Sequence, residues 1–300
     1  MYVVTGATGN TGSEVVKNLL ARGQKVRAVG RSQERLQAYV TEGAEAFVAD
    51  LTDATALTQA FKDAKAVYLM LPPNIQAQDV RAHQDRVSQA LITAVQQAGV
   101  KHAVALSSIG ADKKEKTGPV AGLYEFERKL NGVSGLSVLH LRAGYFMENT
   151  LAQAGIIHAM GKTAGPLRGD LKLPMIATRD IGAAAADALI NLDFKGQQTR
   201  ELLGQRDITM NEVTAILAKA ISKPELQYVQ LPDDQLRPAL SQMGLSASMT
   251  DLLLEMSGAL NSGHMKALEP RSARNTSPTS YETFAVEEFV PAFQGKSRAA

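Results

Sequence analysis

Hydrophobic residues in the first half of the chain form short continuous runs separated by amphipathic segments. Six runs have the apolar, β-branched character of buried strands, at residues 2–5, 25–29, 46–49, 66–71, 102–106 and 136–141. Between them apolar residues recur every three or four positions, which predicts helices over residues 11–22, 53–61, 79–98 and 123–130. Apolar strands that alternate with such helices predict a parallel sheet covered on both faces. We therefore expect an α/β fold with a doubly wound parallel Rossmann sheet.

The second half of the chain departs from this rhythm. Residues 144–174 are rich in glycine and suit loops and a helix at the ligand edge of the sheet. Beyond them the pattern predicts helices at 180–192 and 210–221 and strands at 200–203 and 226–229. Asp53 and Asp180 stand where helix N-caps are expected.

This change of pattern suggests two parts. We assign residues 1–150 to a nucleotide-binding Rossmann domain, whose sheet residues 176–205 rejoin. Residues 151–175 and 206–300 would form a smaller C-terminal α/β part that covers the substrate. Its residues 294–300 suit a frayed tail.

Composition and charge narrow the chemistry. The 300 residues include 32 Lys+Arg and 30 Asp+Glu, a net charge of +2, which disfavours direct nucleic-acid binding and a polybasic membrane anchor. The absence of cysteine excludes disulfides and thiolate chemistry, and the five histidines lack metal-ligand spacing, so we predict no metal site. With no secretory signal or membrane span evident, we expect a cytoplasmic protein that acts on a small molecule. A homo-oligomer or a protein partner is compatible with this composition.

The strongest motif is the glycine-rich turn after the first strand. Its first glycine permits a tight turn, its second lets a pyrophosphate approach the backbone, and its third lets the helix pack closely on the strand. Unpaired N–H groups and the dipole at the start of the helix then favour a phosphate. The residues predicted to bind a dinucleotide here are Gly6, Thr8, Gly9, Asn10, Thr11 and Gly12.

The end of the second strand indicates which dinucleotide is bound. An NAD site places an acidic residue about 20 positions beyond the glycines, whereas this chain has Gly30, Arg31 and Ser32 there. The Arg31 guanidinium can bind a 2′-phosphate and the Ser32 hydroxyl can add a donor, so NADP(H) is the predicted cofactor. The alternative for Arg31 is a solvated loop position. Other strand ends complete the predicted cofactor site with Asp50, Leu51, Leu71, Pro72 and Ser107.

With these residues in hand, the chain resembles the NmrA-like family of atypical short-chain dehydrogenase/reductases. The resemblance rests on the glycine turn and on residues 30–32, 49–51, 106–108, 141–149, 178–182 and 202–204. It implies hydride transfer from NADPH to a quinone-like or other electron-poor small acceptor, as in quinone, azo-dye and triphenylmethane-dye reductases. It also places Tyr145 and Phe146 beside the nicotinamide, and these two with Asn149 beside the substrate. A structured loop that packs on the sheet is the alternative for this segment.

The predicted catalytic residues are Tyr124 and Ser107. Most short-chain dehydrogenases use a Tyr-x-x-x-Lys pair, but here Arg128 follows Tyr124 by one helical turn, and a guanidinium is a poor proton relay. Tyr124 is thus either a general acid or a packing or cofactor-contacting residue. Ser107 or Ser108 is a candidate to orient a substrate carbonyl. The incomplete pair also leaves open an alternative function, a non-catalytic NADP(H)-sensing regulator that acts through a protein partner.

Overall fold

A computed structural model describes residues 1–296, so residues 297–300 of the predicted frayed tail lie outside the described residues. The strands are β1 (Tyr2–Thr5), β2 (Val26–Gly30), β3 (Glu45–Val48), β4 (Ala66–Leu69), β5 (His102–Ser108), β6 (Ser137–Ala143), β7 (Tyr145–Phe146), β8 (Thr163–Gly165), β9 (Leu173–Ile176), β10 (Gln197–Leu202), β11 (Asp207–Ile208) and β12 (Tyr228–Gln230).

The helices surround these strands. They are α1 (Asn10–Ala21), α2 (Gln33–Thr41), α3 (Ala54–Phe61), α4 (Val80–Gln97), α5 (Val120–Asn131), α6 (Gln153–Met160), α7 (Thr178–Asn191), α8 (Met210–Ala220), α9 (Asp233–Gln242), α10 (Ala247–Asn261), α11 (Tyr281–Phe284) and α12 (Val290–Phe293). A 3₁₀ helix spans Met147–Ala152 and a π-helical segment spans Ala285–Phe289. Within residues 1–296, no helix combines the length and apolar character needed to cross a bilayer.

Seven strands form one parallel sheet in the order β10-β6-β5-β4-β1-β2-β3. The strand order reverses between β1 and β4, so the connections diverge there and leave a crevice at the carboxyl ends of the strands. This topology confirms the doubly wound α/β prediction. Two small sheets, β11-β9-β7 and β12-β8, are formed by the remaining strands.

Alternation along the strands divides the core between the two faces of the sheet. Val4 and Val104 belong to a buried cluster that includes side chains of α1 and α7. Their neighbours Val3 and Ala103 belong to a second cluster with side chains of α3, α4 and α5. Because both faces are buried, the strands read as continuous apolar runs in the sequence.

Helix α2 is the main element that the hydrophobic pattern does not single out. Only Leu36 and Tyr39 are buried along it, too few to mark an amphipathic face. Ser32 begins this helix, because its Oγ accepts a hydrogen bond from the N–H of Arg35 at 3.3 Å.

The predicted role of Asp180 as an N-cap is wrong, whereas that of Asp53 is confirmed. Asp53 accepts bonds from two N–H groups in the first turn of α3. Helix α7 begins at Thr178, two residues before Asp180, and the N–H of Thr178 donates to Glu148 at 2.9 Å. Asp180 instead accepts bonds from the N–H and hydroxyl of Thr279 at 3.1 and 2.8 Å. A carboxylate distant in sequence thus caps α7, which local sequence does not reveal.

The packing of α7 on α1 predicts a strong effect of one added methyl group. A Cβ at Gly182 would overlap the Cβ of Glu14 and lie 2.9 Å from its carbonyl carbon. We expect Gly182→Ala to lower the free energy of unfolding by about 1–3 kcal/mol through overpacking. Gly258→Ala is the matched control, because Gly258 lies exposed in α10 with nothing within 4 Å of the added Cβ. Helix propensity should make that change neutral or stabilising by up to about 1 kcal/mol. Denaturant unfolding of both variants gives the comparison, and equal destabilisation would contradict it.

Candidate functional site

A cavity of about 1240 Å³ runs along the carboxyl edge of the central sheet. It begins at the turn between β1 and α1, passes the ends of β2, β4, β5 and β6, and reaches α10. Most residues predicted for the cofactor and substrate line it: Gly6, Thr8, Gly9, Asn10, Thr11, Arg31, Asp50, Leu51, Leu71, Pro72, Ser107, Tyr145, Phe146 and Asn149. Gly12, Ser32 and Tyr124 are predicted site residues that do not line it.

The turn between β1 and α1 fits a phosphate group. Gly6 has a φ of +63°, and a Cβ at Gly12 would overlap the carbonyl oxygen of Gly6. Gly12 therefore permits the close approach of helix to turn rather than lining the cavity. The N-cap residue of α1 is Gly9, which has no side chain to accept a hydrogen bond, whereas α3 and α4 are capped by the carboxylates of Asp53 and Asp79. The first N–H groups of α1 are thus left for a ligand anion at the end of the cavity.

Two arginines lie on the rim beside this turn. Arg31 lines the cavity, and so does Arg35, which lies in the first turn of α2 and belongs to no motif of the sequence. The Arg35 guanidinium donates to the carbonyl oxygen of Thr8 at 2.7 Å, which holds α2 against the glycine turn. The Oγ of Ser32 accepts the N–H of Arg35 as the N-cap of α2, which uses an acceptor site of the hydroxyl and not its proton. The signal for Arg35 was the Ser32 cap, because it starts a helix whose first turn carries Arg35.

Asp50 lies on the same part of the cavity wall. Its Oδ1 accepts hydrogen bonds from the hydroxyl and N–H of Thr52 at 2.6 and 2.8 Å. These bonds lower the pKa of Asp50, so that it is a fixed carboxylate at neutral pH. Its Oδ2 remains as an acceptor for a ligand N–H or hydroxyl.

Ser107 lines the cavity and belongs to a buried polar network whose other members, Glu127 and Arg142, do not line it. Its hydroxyl donates to Oε1 of Glu127 at 2.5 Å. The Glu127 carboxylate also accepts two bonds from the guanidinium of Arg142, at 3.0 and 2.7 Å. Ser107 has one proton and Glu127 accepts it, so the predicted role of Ser107 as a donor to a substrate carbonyl does not fit this arrangement. The hydroxyl of Ser108 is likewise directed to the carbonyl oxygen of Ile109 at 3.0 Å.

Tyr124 lies outside the cavity, on a half-buried position of α5. Arg128, its expected charge partner, is exposed and donates to Glu125 at 2.9 Å. The face of α5 that reaches the cavity instead carries Val120 and Leu123. The arrangement does not support Tyr124 as the proton donor for a ligand in this cavity.

Tyr145 follows the end of β6 and contributes its side chain to the cavity wall. Burial raises the pKa of its phenol to about 12, and a hydrogen bond with Asn149 opposes this rise. The phenol therefore stays protonated at neutral pH and keeps a proton to donate. Phe146 and Asn149, for which the resemblance implies contact with the substrate, also line the cavity.

The far end of the cavity is an apolar chamber formed largely by α10. Met249, Leu253, Met256 and Leu260 are spaced by four, three and four residues, which puts them on one face of the helix. Met265, from the segment after α10, adds to the same wall. The sequence alone does not mark this stripe as part of a binding site, because apolar residues at helical spacing most often pack in a core.

Sequence comparisons relate this chain to a known family of proteins. A model of the NmrA-like family matches residues 2–290. An NAD(P)H azoreductase from Xenophilus azovorans is 30% identical over 256 residues, 85% of this chain and 86% of the relative. Quinone oxidoreductase 2 of Escherichia coli (strain K12) is 29% identical over 259 residues, again 85% and 86% of the two chains.

A solved structure extends the similarity to three dimensions. The NADPH-dependent quinone oxidoreductase of Escherichia coli, crystallised in complex with NADPH, is similar over 100% of this chain and 96% of its own. The TM-score of this comparison is 0.76 at 25% sequence identity. The family match spans nearly the whole chain and confirms the resemblance first drawn from the motifs. This protein belongs to the NmrA-like family.

Proposed function

We propose that this protein is an NADPH-dependent oxidoreductase that transfers hydride to a flat, electron-poor small acceptor of the quinone class. The observation that carries the proposal is a single cavity that joins an uncapped helix N-terminus to an apolar chamber. One end suits the pyrophosphate of a dinucleotide, and the other suits an aromatic acceptor. The relatives named as NAD(P)H-dependent azo and quinone reductases support the same assignment.

The cofactor end is specified by charge. The N–H groups at the start of α1 bind the pyrophosphate, and Arg31 and Arg35 supply the positive charge that a 2′-phosphate needs. Asp50, held ionised by Thr52, accepts a hydrogen bond from the adenosine half. These roles account for a preference for NADP(H) over NAD(H).

At the chamber end the protein positions the acceptor and excludes water from it. The bound cofactor supplies the hydride, so the acceptor needs only one proton to become the hydroquinone. The protonated Tyr145 phenol lines the cavity where it can donate a hydrogen bond to an acceptor oxygen, and water supplies the proton consumed. The methionines and leucines of α10 hold the flat ring by apolar contact. A quinone needs little acid catalysis, which suits a site from which Tyr124 is absent.

Turnover itself provides the first test of this function. Purified protein mixed with NADPH should oxidise the cofactor only when a quinone is added, which the loss of nicotinamide absorbance reports. A panel of quinones and azo dyes would rank the acceptors. Tight NADP(H) binding without acceptor-dependent oxidation across the panel would reject the reductase proposal and favour the regulator.

Arg31→Ala tests the cofactor preference. Charge-assisted hydrogen bonds contribute about 1.5–3 kcal/mol each, so the variant should bind NADP⁺ about tenfold or more weakly. Its affinity for NAD⁺, which lacks the phosphate, should change little. Arg22→Ala serves as the matched control, because Arg22 pairs with Asp187 outside the cavity. Calorimetric titration with both dinucleotides measures the effect, and an unchanged ratio of dissociation constants would contradict the role of Arg31.

Leu253→Trp tests the apolar chamber. The larger side chain should fill the space against Met256 and lower kcat/KM for quinones at least tenfold, while the dissociation constant for NADP⁺ stays within about twofold. The natural chain has no tryptophan, so the introduced indole also reports acceptor binding by fluorescence. Val286→Trp is the control, on a side chain that is 64% exposed. Full quinone activity in the Leu253 variant would place the acceptor elsewhere.

A further inference from the structure

A buried ion pair stands directly behind Ser107, and neither the sequence motifs nor the proposed reaction assigns it a role. Ser107 and Arg142 are register partners on β5 and β6, and α5 places Glu127 over both of them. Ser107 and Glu127 are 4% and 5% exposed. Burying a carboxylate and a guanidinium is costly unless both are fully paired, and here the pair is bidentate.

The hydrogen bonds around Glu127 set the direction in which Ser107 can bond. Both oxygens of Glu127 accept from Arg142, so the carboxylate is ionised and can only accept. The single hydroxyl proton of Ser107 is therefore held by Oε1 of Glu127. What Ser107 offers to the cavity is a pair of lone-pair sites, with no proton.

We propose that the Glu127–Arg142 pair is a positioning device that makes Ser107 an obligate hydrogen-bond acceptor for the carboxamide N–H of the nicotinamide. This inference rests on the proposed dinucleotide cofactor. A carboxamide has a donor end and an acceptor end, and a site that only accepts selects the donor end. A hydrogen bond from this end to Ser107 would limit the orientations open to the carboxamide group. Ser107 contacts the cofactor, whereas Glu127 and Arg142 act through Ser107.

The chemistry of the two ligands favours the carboxamide of the cofactor, rather than the quinone, as the group that Ser107 binds. A quinone presents carbonyl oxygens, which need donors and gain nothing from the lone pairs of Ser107. The reduced and oxidised cofactors both carry the carboxamide N–H₂ group. Ser107 is the penultimate residue of β5 and lines the same cavity as the glycine turn and the α10 chamber. A dinucleotide bound at the turn would share this cavity with Ser107.

The test compares binding of NADP⁺ with that of its acetylpyridine analogue, in which a methyl group replaces the carboxamide N–H₂. One net hydrogen bond corresponds to a factor of about three to ten in affinity. We therefore expect the unmodified protein to bind NADP⁺ more tightly than the analogue by this ratio. Ser107→Ala should reduce this ratio to near one. Ser88→Ala, which changes a buried serine that does not line the cavity, should keep it. Calorimetry without any acceptor gives the ratio, so catalysis plays no part in the readout.

A second variant tests the ion pair. Replacing both partners, Glu127→Leu with Arg142→Met, avoids a buried unpaired charge and frees the Ser107 proton. The ratio of the affinity for NADP⁺ to that for the analogue should then fall toward the value in Ser107→Ala, although Ser107 is still present. Any general loosening of the fold affects both ligands alike and cancels in the ratio.

The outcomes separate this inference from the proposed function. An unmodified protein that binds neither dinucleotide overturns the cofactor assignment and this inference with it. Binding of NADP⁺ with a ratio that Ser107→Ala leaves unchanged overturns the role of Ser107 alone. A ratio lost in Ser107→Ala but retained in the double variant overturns the positioning role of Glu127 and Arg142.

Discussion

The close approach of α1 to the end of β1 is the constraint on which the rest of the site depends. Only a residue without a Cβ at Gly12 lets the helix reach the carbonyl of Gly6. Tyr68, buried in β4, secures this arrangement through its hydroxyl, which donates to Thr11 at 3.0 Å. The N–H groups of α1 thereby open onto the crevice where the strand order reverses. An anion bound there lies at the positive end of a helix dipole, in a place that the sheet topology makes accessible.

Buried carboxylates tie the C-terminal segment to this framework. Glu201 on β10 accepts hydrogen bonds from the N–H groups of Leu268 and Glu269 at 2.9 and 2.8 Å. Asp180 on α7 accepts from Thr279 in the same way. Three of these bonds satisfy backbone N–H groups, those of Leu268, Glu269 and Thr279, and the fourth satisfies the Thr279 hydroxyl. The segment after α10 is thus held in place, and with it Met265, which forms part of the chamber wall.

The features that could be predicted from the sequence are those that depend on residues close together in the chain. The glycine turn and the apolar strands depend mainly on neighbouring residues, so motif and periodicity were enough to predict them. Tyr124 and Arg128 are one helical turn apart in α5, but the guanidinium of Arg128 donates to Glu125. Ser107 lines the cavity, but the direction of its hydrogen bond depends on Glu127, which is 20 residues away.

The sequence by itself determined the fold class, the glycine-rich turn after β1 and the family, because each is encoded in contiguous residues with a fixed spacing. Only the tertiary structure decided which side chains share the cavity. Arg35, the stripe on α10 and the Glu127–Arg142 pair enter the site through contacts between elements distant in the chain. Such contacts depend on how helices pack over the edge of the sheet, and hydrophobic periodicity gives the buried face of a helix but not its neighbour. The direction of the Ser107 hydrogen bond, on which the positioning of a nicotinamide would depend, is therefore decided by the fold.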